Sequence, residues 1–308
     1  MSAWLPAAPC TPRDCAGHRG AVRPPLPAAA LLLTGCTLVL LGVVCVPAVL
    51  LLGTAHRDRL IRRWAYTVVR AFGVRLRISG RPARRREAGA GELVVANHIS
   101  WLDIPLVAAA LPGRMLGKKE IRAWPLLGPL AALGGTLFIE RDRLRALPDA
   151  VRTVAGALRS GSRVVAFPEG STWCGRGPGG RFAPAVFQAA IDAGASVRPV
   201  RIDYRVHHGH RGRQDVAPSR CGPEREGGTG DAAGAVAFVG DDPLAASLWR
   251  VVRAAGLTAE VSVLAPIPAR GEPGRGALAR QARTAVLAAG RTAVASDRAN
   301  RPAESVHH

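Results

Sequence analysis

"VVANHISWLD", residues 94–103, runs from β-branched residues into Asn97-His98 and on to Asp103, where a second apolar stretch begins. The valine-rich half suits a buried strand, and "IPLVAAAL" (104–111) suits a helix after a polar turn. Reactive groups gather at such strand ends, where helix N-termini supply positive dipole ends and unpaired N–H groups. On one continuous helix, residues five apart diverge by about 140°. His98 and Asp103 therefore meet only if His98 lies in the turn and Asp103 in the first helical turns, bending back. There the carboxylate can accept a hydrogen bond from one ring nitrogen and leave the other as a base. Taken alone, the stretch does not decide between an oriented base and the polar end of a buried strand, since His and Asp fall near each other by chance in many proteins.

The same alternation continues outward. "VRLRIS" (74–79), "ELVVA" (92–96), "TLFIE" (136–140), "RVVAF" (163–167), "SVRPVRI" (196–202), "AVAFV" (235–239) and "AEVSVL" (259–264) read as strands. Helical periods cover 101–111, 124–133, 144–159, 183–193, 243–255 and 274–289. Strands spaced by helices predict an α/β domain, a layered sheet with flanking helices, over residues 56–290. Within it, the polar, glycine-rich residues 205–234 are expected to be a long surface loop. Residues 1–23 read as an irregular segment and 291–308 as a disordered tail.

Residues 24–55 carry no charge. A membrane-crossing helix needs about 20 apolar residues, and a signal peptide would be shorter and closer to the N-terminus. The segment is expected to be a membrane-embedded helix or, with Pro47 inside it, a hairpin. Next, "RDRLIRRWAYTVVRAF" (57–72) lines up Leu60, Trp64, Val68 and Phe72 on one face amid arginines, as a helix on a membrane surface or on the domain would. The chain holds 42 Lys+Arg against 22 Asp+Glu, a net charge of +20 that favours anionic partners. Arginine flanks both sides of the apolar segment, and the excess close behind it (Arg57, Arg59, Arg62 and Arg63, against Arg13, Arg19 and Arg23 before) predicts a cytoplasmic C-terminal part. The arginines are dispersed and no nucleic-acid module is recognisable, so nucleic acid is not an expected partner. The six cysteines lack C-x-x-C spacing and scaffold density, which fits a reducing compartment; Cys36 and Cys45 read as small hydrophobes. His207, His208 and His210 stand without Cys or carboxylate at ligand spacing, so no metal is expected.

Two further strand ends carry polar residues that their apolar lead-ins do not explain: Glu140-Arg141 and "FPEGSTW" (167–173). With these, a resemblance emerges. "NHISWLD" (97–103) resembles the NHxxxxD box of the glycerolipid acyltransferases, most closely the 1-acylglycerol-3-phosphate acyltransferases. In order follow "GKKEIRAWPLLGPLAALGGTLFIER" (117–141), "FPEGSTW" and "VRPVRI" (197–202), similar to the family's lysine-bearing segment with its arginine-ended box, its FPEG box and its short proline-containing strand. The match spans roughly residues 60–265.

The resemblance implies a membrane-bound enzyme in which His98 deprotonates a lysolipid hydroxyl and Asp103 orients and charge-stabilises His98. The hydroxyl attacks an acyl thioester, and coenzyme A or acyl carrier protein leaves as the thiol. It implies no acyl-enzyme, metal or other cofactor. Asn97 accompanies the base, Lys118, Lys119 and Arg141 are natural partners of an anionic head group, and Glu169, Gly170, Ser171 and Thr172 belong to the acceptor site. The chain departs from the family where FPEG commonly continues Thr-Arg-Ser: Thr172 stands in place of the arginine, with Arg176 available from the loop. The expected acceptor is 1-acylglycerol-3-phosphate, giving phosphatidic acid. A lyso-ornithine lipid or another lysophospholipid is the alternative. Competing readings are a thioester hydrolase using the same pair and a non-catalytic basic membrane-binding protein.

Overall fold

The computed structural model describes residues 8–17, 20–80, 91–124, 127–140, 144–206, 229–270 and 274–299. In chain order these form α1 (Pro12–Cys15), α2 (Pro25–Leu50), α3 (Thr54–Ala71), β1 (Arg75–Ser79), β2 (Glu92–Ala96), α4 (Asp103–Ala110), β3 (Arg114–Lys118) and α5 (Leu127–Leu133). They continue as β4 (Leu137–Ile139), α6 (Leu147–Arg159), β5 (Arg163–Ala166), α7 (Ala185–Ala193), β6 (Ser196–Val206), α8 (Thr229–Val236), α9 (Leu244–Arg253), β7 (Leu257–Val263) and α10 (Arg275–Ala299).

The strands make one sheet in the order β1-β7-β6-β2-β5-β3-β4. β6, β2, β5, β3 and β4 run parallel, and the turn of direction comes at the antiparallel β6–β7 pair. Central β2 is buried along its whole length, which is why its sequence is a continuous apolar run instead of an alternation. Its side chains still divide by face with period two. Val94 and Ala96 join Leu102, Leu106, Val69 and Tyr204 in one core. Leu93 and Val95 join Leu158, Phe187 and Leu278 in the other. Each fully buried Leu, Val or Phe here contributes about 1.5–3 kcal/mol.

α2 is 26 residues long, about 39 Å of helix, enough to cross a hydrocarbon core of about 30 Å. One face packs on α3 at close quarters: a Cβ at Gly35 would stand 2.7 Å from the Phe72 ring, and one at Gly42 would stand 2.4 Å from Trp64. Trp64 also donates its indole N–H to the Leu38 carbonyl, 3.1 Å away. The opposite face presents Leu26, Leu33, Leu41 and Val44, each more than half exposed. An apolar strip of this kind is at home in lipid. α2 and α3 thus form a helical pair, with α3's apolar face turned inward through Ala65, Val68 and Val69.

Several element boundaries differ from those the sequence predicts. Residues 235–239 are not a strand: they close α8 and continue as irregular chain, buried at Ala235, Val236, Ala237 and Val239. A short apolar run is ambiguous between buried strand and buried helix, and alanine favours the helix. The expected 205–234 loop loses both ends, because β6 extends to Val206 and α8 begins at Thr229; residues 207–228, including His207, His208 and His210, lie outside the described residues. β3 has no counterpart in the prediction, since "RMLGK" neither alternates nor is strongly apolar. The tail expected from 291 is helical as far as Ala299, consistent with its Ala/Arg content. The N-terminal segment contains α1 and a bridge from Val22 to Ala254.

Candidate active site

β2 ends at Ala96, and the chain turns through Asn97–Leu102 before α4 starts on Asp103. Pro105 is tolerated because it falls in the helix's first turn. The turn brings His98 Nδ1 to 2.8 Å from Asp103 Oδ2. That oxygen also accepts the backbone N–H groups of Ile99, at 2.6 Å, and Ser100, at 2.9 Å. Oδ1 accepts the Tyr204 hydroxyl at 2.5 Å. Asp103 is fully buried, and four donors replace its hydration shell. Burial and the neighbouring Asp103 charge push the Tyr204 hydroxyl well above its ordinary pKa, so it remains a donor. Because an ionised carboxylate can only accept, the proton on His98 is fixed at Nδ1 and the Nε2 lone pair is left available. The ring is stacked on Phe167 (centroids 4.1 Å apart, planes 15° apart), which limits its rotation.

A second buried acid supports the same turn. Glu169 Oε2 accepts the His98 N–H at 2.9 Å and Oε1 accepts the Gly180 N–H at 3.2 Å. Burial pushes this carboxyl up to about 8, an effect opposed by the two N–H donors and reinforced by the Asp103 charge. The loop bearing it turns tightly, with the Gly170 N–H on the Phe167 carbonyl at 3.1 Å and a positive φ of 74° at Gly170. The Trp173 N–H then donates to the His98 carbonyl at 2.8 Å. His98 is therefore held at its ring, its N–H and its C=O.

A family model described as Acyltransferase matches residues 75–203. A lyso-ornithine lipid O-acyltransferase of Pseudomonas aeruginosa is 36% identical over 237 residues, covering 76% of this chain and 79% of that protein. This chain belongs to the acyltransferase family. A 1-acyl-sn-glycerol-3-phosphate acyltransferase of Neisseria meningitidis is 35% identical over 207 residues, covering 67% of this chain and 70% of that protein. The crystal structure of a 1-acyl-sn-glycerophosphate acyltransferase from Thermotoga maritima shares the fold, with a TM-score of 0.59 at 17% identity, covering 90% of this chain and 98% of that one.

In this acyltransferase, β2, β5 and β3 run parallel, so His98, the Phe167–Gly170 turn and Lys118 all emerge at one edge of the sheet. Lys118 ends β3 and is exposed; Lys119 begins a short 3₁₀ turn, exposed, with Nζ 3.9 Å from Glu140 Oε2. Arg141 lies outside the described residues. Asn97 is engaged on both sides by the backbone of Ile202, donating to its carbonyl and accepting its N–H, each at 2.9 Å. This pair continues the β2–β6 ladder one residue past the strand. The Ser171 hydroxyl rests on the Thr172 carbonyl at 3.3 Å, and the Thr172 hydroxyl donates to the Phe238 carbonyl. Arg176 is buried and donates to the Gly17 carbonyl at 3.1 Å, which directs it to the N-terminal segment.

Tyr204 and Gly180 also line this candidate site and escape a reading by motif, and Phe167, the first residue of the FPEG box, contributes a ring stack that the box does not announce. Tyr204 is one of two tyrosines in the chain, a rarity that flags it, but its 101-residue separation from Asp103 leaves no local pattern.

Proposed function

We propose that this acyltransferase moves a fatty acyl group from acyl-CoA or acyl carrier protein to the hydroxyl of a membrane lysolipid, with 1-acylglycerol-3-phosphate as acceptor and phosphatidic acid as product. The observation that carries this reading is the 2.8 Å His98–Asp103 contact at the rim of a parallel sheet. His98 Nε2 takes the hydroxyl proton while the oxygen attacks the thioester carbonyl. The tetrahedral intermediate then collapses, the C–S bond breaks, and the thiolate is protonated by the imidazolium. Asp103 holds the ring and offsets its positive charge during the interval. Lys118, Lys119 and Arg141 bind the anionic head group, and Asn97, Glu169, Gly170, Ser171 and Thr172 shape the acceptor side. Such direct transfer needs no cofactor. The α2 strip supports a seat at the membrane, and the arginines of α3 favour a catalytic domain on the cytoplasmic side.

A lyso-ornithine lipid acceptor is the second reading, favoured by one observation. Thr172 stands where the family carries a phosphate-binding arginine, and the substitute Arg176 is engaged with Gly17. The two readings separate in one assay: labelled acyl-CoA and acyl carrier protein, membranes holding the protein, and lysophosphatidic acid, other lysophospholipids and lyso-ornithine lipid offered in parallel. Diacyl product from lysophosphatidic acid that disappears in His98→Ala supports the first reading. Acylation of lyso-ornithine lipid alone replaces it with the second. Release of free fatty acid at the same rate without any acceptor sinks both in favour of a hydrolase.

A further inference from the structure

Away from the dyad, three cysteines meet. Cys10 lies just before α1 and Cys15 is its last residue, both in the N-terminal segment, and Cys174 comes from the loop that follows Gly170. Their Sγ atoms all lie within 4.8 Å of one another. All three are buried, at 4%, 0% and 1% exposure, in a small pocket of Ala8, Trp173, Ala237 and Val239 separate from the two main cores.

Small apolar side chains would fill that pocket as well as thiols do, so packing alone gives no reason for three sulfurs to converge. The chain holds six cysteines in 308 residues, and the three that meet come from segments about 160 positions apart. One disulfide would use two of them and leave the third. A tetrahedral zinc with Zn–S bonds of about 2.3 Å places its sulfurs about 3.8 Å apart, inside the 4.8 Å within which these three lie. Thiolates select soft or borderline ions over magnesium or calcium, and zinc needs no change of oxidation state in a reducing compartment.

We propose that Cys10, Cys15 and Cys174 bind a zinc ion that staples the N-terminal segment to the loop beside the catalytic turn. Each thiol loses its proton to solvent on binding, and three thiolates against one Zn²⁺ leave one net negative charge. Arg176 sits two residues after Cys174 and reaches Gly17, two residues after Cys15, so a guanidinium bridges the same two segments. The fourth position falls to a water. The zinc is structural, since the reaction at His98 does not call for it. The N-terminal segment has little core of its own, so metal binding supplies folding free energy there. The connection to the dyad is one residue long: Trp173, next to Cys174, holds the His98 carbonyl through its N–H.

The test is metal analysis of the full chain, purified in detergent under reducing conditions without chelator. The expected result is about one zinc per chain, retained in a Cys36→Ser/Cys45→Ser double variant and reduced at least about fivefold in each of Cys10→Ser, Cys15→Ser and Cys174→Ser. Because the serine variants can unfold, the wild-type protein carries a second readout. Exchange with Co²⁺ is expected to give sulfur-to-cobalt charge-transfer absorption and tetrahedral d–d bands that added Zn²⁺ abolishes. Folded wild-type protein that holds no zinc and shows no thiolate–cobalt bands overturns the proposal, as does a Cys10–Cys15 disulfide in reduced preparations, or iron or copper at the site. None of these readouts depends on the acyl acceptor, so the zinc and acyltransfer readings fail separately.

Discussion

At the start of β2, the Glu92 carboxylate lies between two guanidinium groups, Arg163 at 2.9 Å and Arg198 at 2.7 Å. Past the other end of the strand, Asp103 is held by two backbone N–H groups, a tyrosine hydroxyl and the His98 ring. Both acids are buried. Guanidinium stays charged at any pH a protein survives, and through Arg163 and Arg198 the Glu92 carboxylate ties three neighbouring strands together, β2, β5 and β6. The Asp103 cluster instead includes an imidazole, whose second ring nitrogen is left as a proton acceptor. A buried carboxylate is thus a fastener at one end and, in the mechanism proposed above, part of a proton-transfer device at the other, and the chemistry of the neighbour makes the difference.

The contrast can be broken most sharply at His98. His98→Ala is expected to lower kcat/KM by about 10²–10⁴-fold with little change in melting temperature, measured by acyl transfer and thermal unfolding of the same preparation. Loss of folding in step with loss of rate would make the two ends alike. Next in size, Glu92→Ala leaves buried Arg198 and half-buried Arg163 without their acid, and is expected to cost about 3–5 kcal/mol of stability, read by denaturant unfolding. Residual activity per folded molecule should stay near wild type.

Glu169 sharpens the comparison through pH. Its folded-state pKa, about 8, lies above the ordinary 4.5, so between these values the folded chain binds more protons than the unfolded chain. Its contribution to stability is full below about pH 4.5, declines as pH rises toward 8, and levels off beyond. Glu169→Gln is expected to flatten that slope, seen as a wild-type-minus-variant difference in unfolding free energy that shrinks with rising pH. The smallest effect is expected for Tyr204→Phe, which removes one of four donors to Asp103: about 1–3 kcal/mol of stability, with a shifted pH–rate profile as His98 feels an altered carboxylate. A rate unchanged at every pH would reduce Tyr204 to packing.

The strand–turn–helix at 92–110 was legible because its cues are local: an apolar run, a polar break, and a five-residue His-to-Asp spacing that closes only in a turn. The same locality hid what completes the site. Tyr204 reaches Asp103 and the Phe167 ring reaches His98 through the sheet and its loops, while Gly180 acts one step back through Glu169, and nothing in the sequence near residue 98 announces them. Residues 235–239 were misread as a strand since hydrophobicity marks burial before it marks conformation. The convergence of Cys10 and Cys15 on Cys174 was hidden because spacing rules address ligands that are neighbours in sequence.

The interlock of α2 with α3 carries a kinetic consequence. Gly35 and Gly42 let the aromatic rings of Phe72 and Trp64 seat directly against α2, and α3 in turn packs on α4, whose first residue is Asp103. The lipid-facing element is thus continuous with the scaffold of the dyad and is no loose tether. On the membrane seat proposed above, such an enzyme samples its acceptor by lateral diffusion in two dimensions. Its velocity is then governed by the mole fraction of lysolipid in the surrounding lipid, and diluting the acceptor with inert lipid should slow it at constant bulk concentration.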